Sequence, residues 1–148
     1  MKLLDANLLL YSANEDAPLH AKARSWLETL LSGSETVGFT WLVLLAFLRL
    51  STRAAVFPRP LEPGESLDLI DSWLSQPCST VVDPGERHLR ILRDLIAPFG
   101  TAGNLTSDAH LAALAIEHGA ELCSCDSDFS RFPGLRWRNP LVEADRPS

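Results

Sequence analysis

The chain has 148 residues, enough for one ordinary domain. Apolar residues make up 46% of it, which supports a sizeable core and excludes wholesale disorder. A net charge of −6 argues against a general nucleic-acid coat, which needs a basic surface. The basic side chains are lopsided, eleven Arg against two Lys, and Arg is the better residue for forked contacts to phosphate or carboxylate. They cluster at Arg49, Arg53 and Arg59, at Arg87, Arg90 and Arg93, and at Arg131, Arg136 and Arg138. The apolar runs are too short to span a bilayer, and Asp5 interrupts the first one, so the expectation is a cytoplasmic protein without a membrane partner. The three cysteines fit that: their number is odd, and Cys78, Cys123, Cys125 and the four histidines (His20, His88, His110, His118) show none of the paired spacing of a zinc site.

Taken in chain order, "KLLDA" reads as a short buried strand. "DAPLHAKARSWLETLLSG" reads as a helix, with Asp16 as its candidate N-cap and Gly33 past its end. "TVGFT" is a strand candidate, and "WLVLLAFLRLSTR" is a strongly apolar helix with Leu42, Leu45, Ala46 and Arg49 at helical spacing. "FPRPLEPG" is a loop, and "ESLDLIDSWLSQ" returns to helical periodicity. "STVVD" is another buried strand. "ERHLRILRDLIAPFG" is an amphipathic helix with Ile91, Leu92, Leu95, Ile96 and Phe99 as its stripe. "TSDAHLAALAIEHG" is a helix that Thr106 or Ser107 would cap and Gly119 would stop. "AELCSC" is a strand, "LRWR" a candidate last strand, and residues 139–148 a loose tail. Short apolar strands alternating with helices predict an α/β domain over residues 1–138. Its central parallel sheet of about five strands would be covered by helices on both faces.

In such sheets ligands gather outside the carboxyl ends of the strands. Asp5 ends the first strand, Asp126 follows "AELCSC" with Asp128 two residues on, and Asp108 lies in the first turn of the helix that feeds that strand. Singly, each has an ordinary explanation. Asp108 could answer the helix dipole, Asp126 could form an Asx-turn, and Asp5 could cap whatever follows its strand. Together they are a candidate cation site, because ionised carboxylates at close quarters repel and a divalent ion relieves that repulsion. Oxygen ligands suit Mg²⁺, or Mn²⁺, rather than zinc. An ion so held can polarise a phosphodiester and acidify a bound water.

The combination of "LLDANLLLY", "TSDAHLAALAIEHGAELCSCDSDFSRF" and "FPGLRW", in this order and spacing, resembles the PIN-domain proteins. More closely, it resembles the VapC-type toxins of bacterial toxin–antitoxin pairs, from Met1 to about Trp137. The resemblance implies a single PIN-like domain and Mg²⁺-dependent endoribonuclease activity. It also implies a small DNA-binding antitoxin as partner and a homodimer. Carried over by position, Asp5, Asp108 and Asp126 match the family's acids and are the expected metal-binding and catalytic residues. Asn7 matches the Asn after the first acid, and Ser124 the Thr or Ser before the last acidic pair. One position departs: "LLAFLRL" carries Ala46 where the family usually has a Glu. Asp128, Glu15 and Asp16 are the candidates to replace that acid. The alternative to an enzyme is a PIN fold kept as an inactive binding module, with Ala46 as its mark.

Overall fold

The protein is described by a computed structural model covering residues 1–143. Five short strands form one parallel sheet: β1 (Lys2–Leu4), β2 (Val37–Phe39), β3 (Ser79–Val81), β4 (Glu121–Cys123) and β5 (Trp137–Arg138). Their order is β3-β2-β1-β4-β5. The chain therefore begins at the centre, builds outward to one edge, and returns to build the other side. The point where it changes direction lies between β1 and β4, and that is where an α/β sheet opens a crevice at its carboxyl edge.

Seven α-helices connect and cover the strands among the described residues: α1 (Ala6–Ala13), α2 (His20–Leu31), α3 (Trp41–Ser51), α4 (Pro63–Leu74), α5 (His88–Ile96), α6 (Thr106–Glu117) and α7 (Pro140–Glu143). The α/β architecture expected from the alternating pattern is the one observed. None of these helices is long and apolar enough to cross a membrane.

Several local expectations need correction. The run "ANLLLYSA" forms helix α1 immediately after β1, where consecutive apolar residues show no period that separates strand from helix. Asp16 does not cap α2, which begins four residues later at His20 without a side-chain cap. Neither Thr106 nor Ser107 caps α6: Thr106 is its first residue and hydrogen-bonds back to the Gly103 carbonyl. β3 is an edge strand with Thr80 and Val81 exposed, not a buried one. Helix α3 buries Val43, Leu44, Phe47 and Ser51, which leaves Trp41, Leu42 and Leu45 on the outside at 51%, 39% and 56% exposure. At the C-terminus, Pro140–Glu143 is helical and Leu141 is buried, while residues 144–148 of the expected tail lie outside the described residues.

The core is built from Leu3 and Leu4 of β1, Leu8 and Leu9 of α1, Val37 and Phe39 of β2, and Leu122 and Cys123 of β4. Phe47 of α3 and Trp73 of α4 meet edge to face, with ring centroids 4.8 Å apart. Helix α6 is buried on nearly all sides, with Ala109, Ala112, Ala113 and Ala115 fully buried beside Leu111 and Leu114. Its small side chains allow close approach, and a helix apolar all round belongs in the interior. Helix α5 packs against it through a His88 Nε2–His110 Nδ1 hydrogen bond of 2.9 Å. Burial, and then the neighbouring His88, hold His110 below the ordinary histidine range.

Gly38 sits where β2 crosses this packed layer. A Cβ there would lie 2.8 Å from Val82 Cγ2 and 3.0 Å from Leu3 Cδ1. Gly38→Ala is expected to destabilise the protein by about 1–3 kcal/mol through overpacking, read as a lower urea midpoint with an unchanged slope.

Candidate active site

Asp5 leaves β1 in extended conformation and caps α1: its Oδ1 accepts from the Ala6 amide at 2.7 Å. The cap explains why a helix starts directly at the strand end. Its own amide donates to the Cys123 carbonyl at 3.0 Å, so the β1–β4 ladder continues to the acid itself. The other carboxylate oxygen, Oδ2, accepts from Ser124 Oγ at 2.6 Å and from Asn7 Nδ2 at 3.3 Å. The cap reading and the site reading of Asp5 are thus compatible, because the two oxygens have separate tasks.

Ser124 is fully buried and joins the two strand ends. Besides donating to Asp5, its hydroxyl accepts from Asn7 Nδ2 at 3.1 Å and from the Asp126 amide at 3.0 Å. Asn7 Oδ1 accepts from the Cys125 amide at 3.2 Å. Asp126 in turn caps a short 3-10 helix, Ser127–Arg131, by accepting from the Asp128 amide at 2.9 Å. The Asx-turn reading of Asp126 therefore also holds alongside its place in the site.

Asp108, in the first turn of α6, reaches the same neighbourhood and is half-buried. Arg131 Nη2 donates to its Oδ2 at 2.9 Å, and Arg131 Nη1 lies 3.8 Å from Asp128 Oδ2. Arg131 also lies over the Phe132 ring, 5.0 Å from its centroid, and its buried Nε has no partner among the described residues. Asp5 and Asp108 share a cleft of about 370 Å³ with Ala6, Leu42, Leu45, Ala46, Arg49 and Ser107. Position 46 thus opens onto the acids, and the residue there is a methyl group. A larger cleft of about 440 Å³, lined by Leu27, Leu31, Leu69 and Trp73 among others, lies away from the acids.

The acids feel one another. Burial raises the Asp5 carboxyl above its ordinary range and the Asp126 charge raises it further, against the hydrogen bonds from Ser124 and Ala6. Asp108 is raised first by burial and then by Asp126, with smaller contributions from Asp5 and Asp128, while Arg131 lowers it. A carboxyl whose pKa is raised on folding costs stability once pH passes above its ordinary range, because the folded protein then holds an ionised group that the unfolded chain holds more easily. A cation placed among these oxygens would remove that cost, so the donor set fits an oxygen-seeking divalent ion. As they stand, no three His, Cys, Asp or Glu side chains among the described residues are gathered closely enough to hold one. The hydrogen bonds give the reason: Asp108 is held by Arg131, and Asp126 is turned to its own cap.

Of the candidates for the missing acid, Glu15 and Asp16 are excluded by position. They lie past the far end of α1 and pair with Arg59, at 3.5 Å and 3.2 Å. Asp128 is within reach of Arg131 and is felt by Asp108, so it belongs to the acid group. The cysteines take no part: burial raises Cys123 to about 12 and Cys125 to about 11, so both thiols stay neutral. Sequence reasoning missed the Arg131–Asp108 pair. Its only trace was an arginine five residues after Asp126.

A family model described as "PIN domain" matches residues 2–135. The chain belongs to the PIN-domain family. It is 47% identical over 140 residues to Ribonuclease VapC37 of Mycobacterium tuberculosis (strain ATCC 25618 / H37Rv), covering 95% of this chain and 97% of that protein. It is 41% identical over 143 residues to Ribonuclease VapC33 of the same organism, covering 97% of this chain and 100% of that one. Within the PIN-domain family it therefore groups with the VapC proteins. In fold it is similar to the crystal structure of VapBC2 from Rickettsia felis bound to a DNA fragment from their promoter. The TM-score is 0.68 at 21% identity, with 93% of this chain and 97% of that one covered.

The buried Ser124 hydroxyl is the joint between Asp5 and Asp126. Ser124→Ala would leave the Asp126 amide and one Asp5 oxygen short of a partner, at a cost of about 1–3 kcal/mol. Thermal melting should show that loss, and Ser124→Thr, which keeps the hydroxyl, should recover most of it.

Proposed function

We propose that this PIN-domain protein is a VapC ribonuclease, the toxin of a toxin–antitoxin pair, and that it hydrolyses RNA phosphodiester bonds with Mg²⁺ or Mn²⁺. The observation that carries the reading is the convergence of Asp5, Asp108 and Asp126 from three separate segments on the carboxyl edge of the sheet. Asp5 and Asp108 line one cleft, the Ser124 hydroxyl ties Asp5 to Asp126, and Arg131, bound to Asp108, leaves most of the group's negative charge unmatched. Identity of 47% to a protein named a ribonuclease supports the substrate class. The missing acid at Ala46 does not by itself favour an inactive module, because three candidate acids remain at the carboxyl edge.

Asp5, Asp108 and Asp126 would hold the ion, directly or through water, with Asp128 as the fourth acid at hand. When bound, such an ion polarises the phosphodiester and lowers the pKa of a water that attacks in line. The chain's own residues set the stage for this. Ser124, Asn7 and the Ala6 amide fix the Asp5 carboxylate in one orientation. Arg131 binds one oxygen of Asp108 and neutralises part of the acid cluster before RNA arrives. The apolar α3 wall of Leu42, Leu45 and Ala46 narrows access of bulk water to the acids.

As partner the reading takes a small antitoxin, on the strength of the VapBC2 pair to which the fold is similar. The larger cleft, floored by Leu27, Leu31, Leu69 and Trp73, suits an amphipathic segment of that partner. We further infer a cytoplasmic location and a homodimer. The exposed apolar face of α3 is the natural surface for a second copy, since Trp41, Leu42 and Leu45 are contiguous there.

Two outcomes test these points. Purified protein should cut RNA only with Mg²⁺ or Mn²⁺, and Asp5→Asn or Asp108→Asn should slow cleavage roughly 100-fold or more while melting no lower than the parent. Mg²⁺ should raise the melting temperature of the parent and much less that of either variant. Parent-rate cleavage by Asp5→Asn would sink the assignment. For the dimer, Leu45→Arg is expected to shift light-scattering mass from two chains to one; an unchanged dimer mass rules out this face.

A further inference from the structure

RNA must approach a cleft whose walls carry Asp5 and Asp108, on a protein of net charge −6. A phosphate entering there meets like charge, so some cation in the cleft has to offset it before or beside the metal. Arg49 is the only basic residue among those that line the cleft. Arg131, the other arginine near the acids, is already engaged by Asp108 and Asp128. Arg24 pairs with Glu28, Arg59 with Glu15 and Asp16, and Arg138 with Glu121. Arg49 has no carboxylate partner among the described residues and is exposed in the last turn of α3.

The reason it is unpaired is visible one turn back. Residues three apart on a helix are neighbours, and an acid three residues before an arginine can pair with it. That neighbour here is Ala46, which also faces the cleft. An uncharged residue at 46 removes one acid from the metal's surroundings and leaves the Arg49 guanidinium free.

Resting on the ribonuclease reading above, we propose that Arg49 holds the RNA phosphate next to the scissile one, and that Ala46 is what leaves it available. A guanidinium is suited to this, because it presents parallel N–H donors to two phosphate oxygens. The contact positions the strand and carries no base preference. It makes Arg49 a substrate-binding residue of the cleft, distinct from the acids that hold the ion.

The test uses the full chain in the Asp5→Asn background, which binds RNA without consuming it. The probe is a fluorescein-labelled single-stranded oligoribonucleotide of mixed sequence, followed by anisotropy in Mg²⁺ buffer across a range of salt. Arg49→Gln is expected to weaken binding about tenfold, the loss of one charge-assisted hydrogen-bonded contact. It should also reduce the slope of log affinity against log salt by about 0.7, the contribution of one phosphate on a single strand. Arg49→Lys should restore the slope, and Ala46→Glu should reproduce much of the Arg49→Gln loss by supplying an internal partner. Arg24→Gln, away from the cleft, should change neither quantity. Parent affinity and slope in Arg49→Gln overturn the proposal, and if the parent chain still cuts RNA, the ribonuclease reading survives that failure. If the parent cuts no RNA and the Asp5→Asn chain binds none, the reading and the proposal fall together.

Discussion

The site depends on β1 and β4 lying side by side in parallel register. Leu4 is paired with Cys123, and the Asp5 amide continues the ladder to the Cys123 carbonyl. The residues that follow each strand, Asp5 and Ser124, are thereby delivered to the same level at the sheet's carboxyl edge. Because β1 is the central strand and the chain changes direction between β1 and β4, the carboxyl ends of these two strands flank the crevice. The Ser124 hydroxyl then does what backbone pairing cannot do beyond the strand ends: it ties Asp5, Asn7 and the Asp126 amide into one network. Buried polar groups persist only when satisfied, so the network both fixes the acids and limits where they can turn.

What the sequence revealed follows from which signals are local. The alternation of short apolar strands with helices made the parallel sheet legible, and acids directly after apolar strands made Asp5 and Asp126 legible. Asp108 was readable as a candidate because it stands on an apolar side of its helix, although a carboxylate in the first turn also answers the helix dipole. Helix α1 was hidden, since "ANLLLY" is apolar at consecutive positions and fits a buried strand as well as a helix. The face of α3 was hidden for a related reason. Leucines occupy both sides of that helix, and only tertiary packing selects Val43, Leu44 and Phe47 as the buried set. The Arg131–Asp108 pair spans 23 residues of chain, and no local pattern announces such a contact. Ser124 and Asn7 were reachable through the family resemblance alone, because a Ser or Asn near a strand end is common.

The acids also explain why part of this fold is less stable than it could be. Asp5 is mostly buried, and its neighbours add negative charge to a group whose ionisation burial already opposes. A sequence selected for stability alone would not place three carboxylates here. The hydrogen bonds from Ser124 and the Ala6 amide lower the cost without removing it. The same donors make the orientation of Asp5 independent of any ion, so its preorganisation belongs to the protein.

Arg131 and Ala46 act on this balance in the same direction. Four carboxylates in the group, Asp5, Asp108, Asp126 and Asp128, face one internal guanidinium. An acid at position 46 would raise the uncompensated charge further, since that position opens onto the cleft beside Asp5 and Asp108. With Ala46, the cluster has less charge with which to draw an ion, and each remaining acid would count for more of any coordination. Arg131 reduces it again by holding Asp108 through one oxygen. A divalent ion entering the site would compete with that pair, and exchanging the guanidinium for it would add one positive charge at a half-buried position. Charge compensation of Asp108 within the chain therefore comes from an arginine anchored over Phe132, with Arg49 at the cleft wall, and a bound ion would supply the rest.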